Sequence, residues 1–315
     1  MPPRTQEETL LAHNIDLDAG CHRLSCGRRA MVNRLCWREL ARRWVRSKSE
    51  PPHARVFSEP KFQNNVSMWY LLYRWIVSIV WISITICSIL ELGSYTPRGD
   101  RYKWGIYLTN WGLSICTVQS LFSLYLVTKR WRRQRVAGFD PQLMKLSLVI
   151  KTYWYLVTVS SNLAISISIV YWGAVYNPKE NRNDPLNIST HVFNSIFMIM
   201  DVCITNIPLN FKYFWWATIV EILYAFFTVI YHLAGGHNNL GKPYIYSIIN
   251  WTNPQVTLLW IVSTMIMSMI VHCLLCCLTR IRDRLFFNID RRLERTFPVS
   301  NDHPSSLVKN IGNIV

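Results

Sequence analysis

Thr109 and His191 are the two side chains whose types fit acyl transfer. A threonine hydroxyl stays protonated at neutral pH and attacks an ester only when a nearby base takes its proton; a neutral imidazole is such a base. The two residues are far apart in sequence, so helices must bring them together. Thr109 falls about five residues, or roughly 7 Å, into one apolar stretch, and His191 opens another at the same end. His232 and His237 close a third stretch, and Asn194 lies one turn beyond His191. Asn194 or His232 is placed to stabilise an oxyanion or orient the imidazole. The competing reading is an interfacial histidine and a threonine bonded to its own helix.

Three charges fall inside apolar stretches, Arg74, Asp201 and Glu221. Such charges are costly in hydrocarbon unless paired or hydrated. Asp201 and Glu221 stand at matching depths on consecutive antiparallel helices, with Arg74 as the nearest cation. Arg74 is also close enough to one end to snorkel to headgroups. A structural polar cluster is the first reading, and a proton or ion pathway the second.

The elements that carry these residues follow from hydropathy. Half of the chain is hydrophobic, and apolar runs of about 20 residues are long enough to cross a hydrocarbon core about 30 Å thick. Six spans are read at 69–90, 104–127, 153–175, 191–209, 215–234 and 256–278, which predicts an all-α, six-helix transmembrane bundle. The fourth span carries Asn194, Asp201 and Asn206 and reaches Pro208. A re-entrant fourth segment would leave five spans, but the short hinge 210–213 fits two antiparallel helices.

Residues 1–68 and 280–315 are read as cytoplasmic basic tails, the first partly disordered, around a transmembrane domain at 69–279. The first thirty residues lack an apolar core, so no cleavable signal peptide is expected. Most of the 34 basic residues fall before the first span, between Lys129 and Lys151, and after the sixth span. That asymmetry places both termini in the cytoplasm, at the plasma membrane or the endoplasmic reticulum. Basic clusters beside apolar spans imply membrane lipids and anionic headgroups as partners of the tails, and no nucleic acid. Segment 31–47 forms a basic amphipathic wheel, or a disordered polybasic tail. Ile281, Leu285, Ile289, Leu293 and Phe297 mark a second surface helix.

No cysteine lies in an outer loop, so no extracellular disulfide is expected. Cys276-Cys277 beside Arg280 is read either as a palmitoylation site or as small packing residues. Cys21-His22 with Cys26 has no second half for zinc, and neither a metal nor a cofactor is called for. The sequons at Asn187 and Asn250 agree with an outer placement but crowd the membrane.

The Met31-Val-Asn-Arg start, the region from Phe57 to Gln63, the Tyr70-Leu-Leu-Tyr-Arg-Trp75 entry and the tryptophan-rich helices resemble the rolling stone family. That family is named for a membrane protein implicated in myoblast fusion, so the resemblance implies a non-enzymatic role in cell-cell fusion. Two shorter stretches resemble the androgen-induced family of six-helix threonine hydrolases, which act on fatty-acid esters of hydroxy fatty acids. Lys103-Trp104 through Tyr107-Leu108-Thr109 is similar to its Trp-Lys-Phe-Leu-Thr segment, which implies Thr109 as nucleophile. Thr190-His191 with Asp201 beyond is similar to its Asn-His-Gly-Met-His stretch, which implies His191 as base. Here Asn187-Ile-Ser-Thr replaces the residues before that histidine. On this resemblance the substrate is a lipid ester.

Overall fold

The computed structural model describes residues 52–97, 99–178 and 183–296. The amphipathic segment 31–47 and Cys21, Cys26 and Cys36 lie outside the described residues. Six helices are long and apolar enough to cross a membrane: α1 Met68–Leu90, α2 Leu108–Arg133, α3 Leu148–Val175, α4 Pro185–Ile204, α5 Trp215–Leu233 and α6 Pro254–Thr296. Among the described residues the β pairing is confined to two isolated bridges. Helices are the solution hydrocarbon imposes, because each satisfies its own backbone N–H and C=O groups.

α3 is the hub, packed against α2, α4, α5 and α6, while α1 packs on α2. Its composition explains that position. Thr158, Ser160, Ser161, Asn162, Ala164, Ser166 and Ser168 are all buried, and small or hydroxylated side chains let helices approach closely without an apolar driving force between them. Ser161 Oγ donates to Val157 O at 2.7 Å within the helix. Asn162 crosses to α6, its Nδ2 donating to Ser268 O at 3.0 Å and its Oδ1 accepting from Ser268 Oγ at 2.7 Å. Gly112 of α2 allows a similar approach, since a Cβ there would lie 2.8 Å from Ile167 Cδ1 of α3. The outward faces stay apolar, with Ile76, Ile79, Leu259 and Ile266 exposed.

At one end of the bundle, called here the basic end, charges are buried in pairs. Arg74 Nη1 lies 2.6 Å from Asp201 Oδ1, and Tyr73 donates to the same oxygen at 3.0 Å. Arg74 is 1% exposed, so it does not snorkel outward. Burial in the bundle brought the opposite charge on α4 within reach, and pairing is the cheaper outcome. Asp201 and Glu221 do not form one cluster: Asp201 pairs with Arg74, and Glu221 lies beside Ser268 of α6.

The chain ahead of α1 is built into this end. Phe57 is buried edge-to-face against Tyr153, and Pro60 bridges Thr205. Glu59 Oε1 accepts from Arg130 Nη2 at 2.9 Å. Burial raises the Glu59 carboxyl above its ordinary range, against the lowering pull of Arg130.

Several expected boundaries change: α2 runs from Leu108 to Arg133 where 104–127 was expected, and α3 begins at Leu148 and not at 153. The fourth span was expected at 191–209, but α4 begins at Pro185 and ends at Ile204. Asp184 caps its start by accepting from Asn187 N at 2.7 Å, with proline in the first turn. Its end is fixed by the extended Thr205 pairing with Pro60. The second surface helix is instead the continuation of α6, which runs unbroken to Thr296. Arg282 holds that extension to the bundle by donating to the carbonyls of Val202, Thr205 and Ile207. Cys276 packs in the core with Val202 and Leu209 at 0% exposure, which removes it as an acylation target; Cys277 is half-buried.

Candidate functional site

The opposite end of the bundle gathers the C-terminal ends of α1, α3 and α5 and the N-terminal ends of α2, α4 and α6. Thr109 is in the first turn of α2, and a polar relay fixes what precedes it. Trp104 Nε1 donates to Ser88 Oγ at 3.0 Å, Ser88 Oγ donates to Asn110 Oδ1 at 3.3 Å, and Asn110 Nδ2 donates to Trp104 O at 2.6 Å. The short helix Arg101–Ile106 is thereby tied to α1 and α2.

His191 sits in a π turn, Ser189–Phe193, inside α4, and Tyr171 opens another, Tyr171–Val175, at the end of α3. Such wide turns are frequent at functional sites. Here the two face each other, and the His191 and Tyr171 rings are cofacial at 3.5 Å between centroids and 4° between planes. His191 is 8% exposed, and its Nδ1 has no hydrogen-bond partner among the described residues. The ring is therefore oriented by stacking. The carboxylate that the hydrolase resemblance would supply, Asp201, is paired with Arg74 at the basic end.

Thr109 and His191 line one polar cavity of about 280 Å³, together with Trp104, Tyr107, Asp184 and Tyr246. Beneath it lies an apolar crevice of about 90 Å³ between α3, α5 and α6, walled by Leu163, Ile167, Tyr224 and Met265, with Glu221 on its side. Thr109, Tyr171, Val175 and Tyr246 belong to both, so the hydroxyl stands where polar chamber and apolar crevice meet. Among the described residues no hydrogen bond joins Thr109 to His191; the nearer polar neighbour of Thr109 is the Tyr246 phenol, which borders the same two spaces.

Tyr246 comes from the loop between α5 and α6, which closes over the site. Lys103 Nζ donates to Asn238 O at 3.4 Å, and Asn239 N donates to the Tyr107 hydroxyl at 3.3 Å. The Tyr107 and Tyr246 rings meet edge to face at 5.7 Å. Desolvation among these groups pushes the Tyr246 phenol up to about 12, so it stays a neutral donor at physiological pH.

The other residues expected here do not join the site. His232 Nδ1 contacts Pro243 O at 3.3 Å outside the cavity, and His237 is exposed in the same loop. Asn194 is buried deeper, accepting from Cys116 Sγ at 3.7 Å. Sequence reasoning missed Asp184, Tyr171 and Tyr246. The Asp184-Pro185 step was a readable helix start; the tyrosines carry no local signal.

Fold and site together define a polytopic membrane protein whose six-helix bundle encloses a polar chamber at one end and an apolar crevice beneath it. The family described as "Protein rolling stone" matches residues 49–299, and the chain belongs to that family. It is similar to the Protein rolling stone of Drosophila melanogaster, with 32% identity over 201 residues that cover 61% of this chain and 70% of that protein. No solved structure matches the chain.

Proposed function

We propose that this rolling stone family member is a lipid-ester hydrolase, oriented with its basic end and both termini in the cytoplasm and its chamber toward the outer leaflet. The supporting observation is the shared lining: Thr109 and His191 border one polar cavity, and Thr109 also borders the apolar crevice. An acyl ester bound across that junction presents its carbonyl to the hydroxyl and its chain to the crevice.

His191 takes the Thr109 proton as the oxygen attacks the carbonyl carbon. Tyr246, whose phenol stands beside Thr109 on the wall of both spaces, donates to the developing oxyanion. Collapse expels the alcohol, which leaves with the proton held by His191. Water, activated by the same imidazole, then releases the acid and regenerates Thr109. Purified protein is expected to hydrolyse fatty-acyl esters, and His191→Ala to lose that activity while remaining monodisperse. Unchanged hydrolysis in His191→Ala rejects the reading.

Family membership supports a second reading, a role in cell-cell fusion. The outer loops are too short for an adhesive ectodomain, so such a role would act through lipid or a partner. Fusion that proceeds normally in cells depleted of the protein rejects it.

A further inference from the structure

We infer that the chamber selects a lipid with an ammonium headgroup, its single chain running past Thr109 into the crevice; this names the substrate class of the proposed hydrolase and rests on that reading. Three carboxylate side chains, Glu91, Asp100 and Asp184, line the chamber with one cation, Arg101; Lys103 at its edge pairs with Asp100 at 3.0 Å, which leaves carboxylates in excess by one. An anionic headgroup would meet like charge there, whereas an ammonium meets opposite charge.

The walls supply the second half of the recognition. Trp104, Tyr107, Tyr171, Tyr244 and Tyr246 all border the same space, and aromatic faces attract quaternary and primary ammonium groups. A chamber of about 280 Å³ is near the lower end of small-ligand sites, about 300 Å³, so it suits a headgroup and not a whole lipid. The crevice below, about 90 Å³ and walled by Leu163, Ile167, Val170, Ile261 and Met265, takes the first few methylenes of one chain.

An independent mark of a ligand site is His191. It is more than nine-tenths buried, it borders the chamber, and its Nδ1 has no partner among the described residues. Glu91 caps the end of α1 in the left-handed region, φ 55°, with Leu92 N donating to Cys87 O at 2.9 Å. Its carboxylate borders the chamber, with Oε2 accepting from Gly99 N at 2.7 Å.

Three single-chain probes carrying a diazirine on the chain a few carbons from the carbonyl separate the possibilities: a choline-headed lysolipid, a phosphoglycerol-headed lysolipid and a free fatty acid. With the full chain in detergent, the choline probe is expected to label the crevice segments of α5 or α6, around Tyr224 or Met265, about tenfold more than either anionic probe. Glu91→Gln with Asp100→Asn is expected to level that preference while labelling of the crevice persists. Equal labelling by anionic probes, or labelling confined to the outer faces of the bundle, overturns the inference. The outcome is separable from hydrolysis. Choline-selective labelling in a protein that cleaves no ester supports the site and rejects the enzyme. Ester cleavage with no headgroup preference supports the enzyme and rejects this inference.

Discussion

Arg74 of α1 and Asp201 of α4 form a buried ion pair at 2.6 Å, with side chains 1% and 6% exposed. Tyr70 accepts from the Arg74 Nη2 at 2.8 Å and Tyr73 donates to the carboxylate, so the pair sits in an aromatic collar. Removing one partner strands the other charge, which costs about 3–5 kcal/mol for a buried pair. Arg74→Ala and Asp201→Ala are each expected to lower the unfolding temperature in detergent sharply. The double variant Arg74→Met with Asp201→Leu is expected to recover most of the loss, because no unpaired charge remains. If either single variant unfolds like the parent, the pair is not what joins α1 to α4.

Arg282 is the anchor of the α6 extension. Its guanidinium reaches three carbonyls at the end of α4, an arrangement suited to a planar fork and not to an ammonium. Arg282→Lys is therefore expected to destabilise nearly as much as Arg282→Ala, by about 1.5–3 kcal/mol for the lost charged hydrogen bonds. Hydrogen exchange is expected to rise in residues 202–207 in both. A lysine variant with parental protection in that segment contradicts the assignment.

Gly112 and Ile167 offer a test of helix approach in the bundle. A Cβ at 112 would meet Ile167 Cδ1 at 2.8 Å, and Ile167→Val deletes that methyl. Gly112→Ala is expected to destabilise by about 1–3 kcal/mol from overpacking, and Ile167→Val in the same chain to restore part of it. Additive losses in a double-mutant cycle would show that the two sites do not touch.

The architecture was legible from hydropathy because each span announces itself over about 20 residues. All six spans overlap the apolar runs, the first and fifth to within a residue at each end, and the fourth shifted as a whole because its true start is marked by Asp184-Pro185, a capping signal weaker than the apolar run. The Arg74–Asp201 pair was legible as a possibility, since two opposite charges in hydrocarbon seek each other. Glu221 was not assignable, because its neighbour Ser268 looks like any small helix residue. Thr109 and His191 were found by residue type and depth, and they do border one cavity. The π turns that aim Tyr171 at His191, and the loop that brings Tyr246 to Thr109, depend on backbone geometry that residue periodicity does not encode.

Tyr246 distinguishes a participating hydroxyl from a covering loop. If it donates to the oxyanion, Tyr246→Phe lowers kcat by about a hundredfold with little change in KM. The aromatic contact with Tyr107 survives the change, so folding is expected to hold. With the phenol pushed up to about 12, no activity loss from its ionisation is expected below pH about 11. A Tyr246→Phe variant with parental kcat removes it from the chemistry.

A Thr109 that attacks an acyl ester carries the acyl group until water releases it. Purified protein is mixed with an activated fatty-acyl ester, quenched in acid and digested, and the peptide containing Thr109 is weighed. An acyl adduct on Thr109 that is lost in Thr109→Ala and accumulates under conditions that slow deacylation is the predicted result. An unmodified Thr109 peptide, alongside ester hydrolysis that Thr109→Ala leaves intact, contradicts the account.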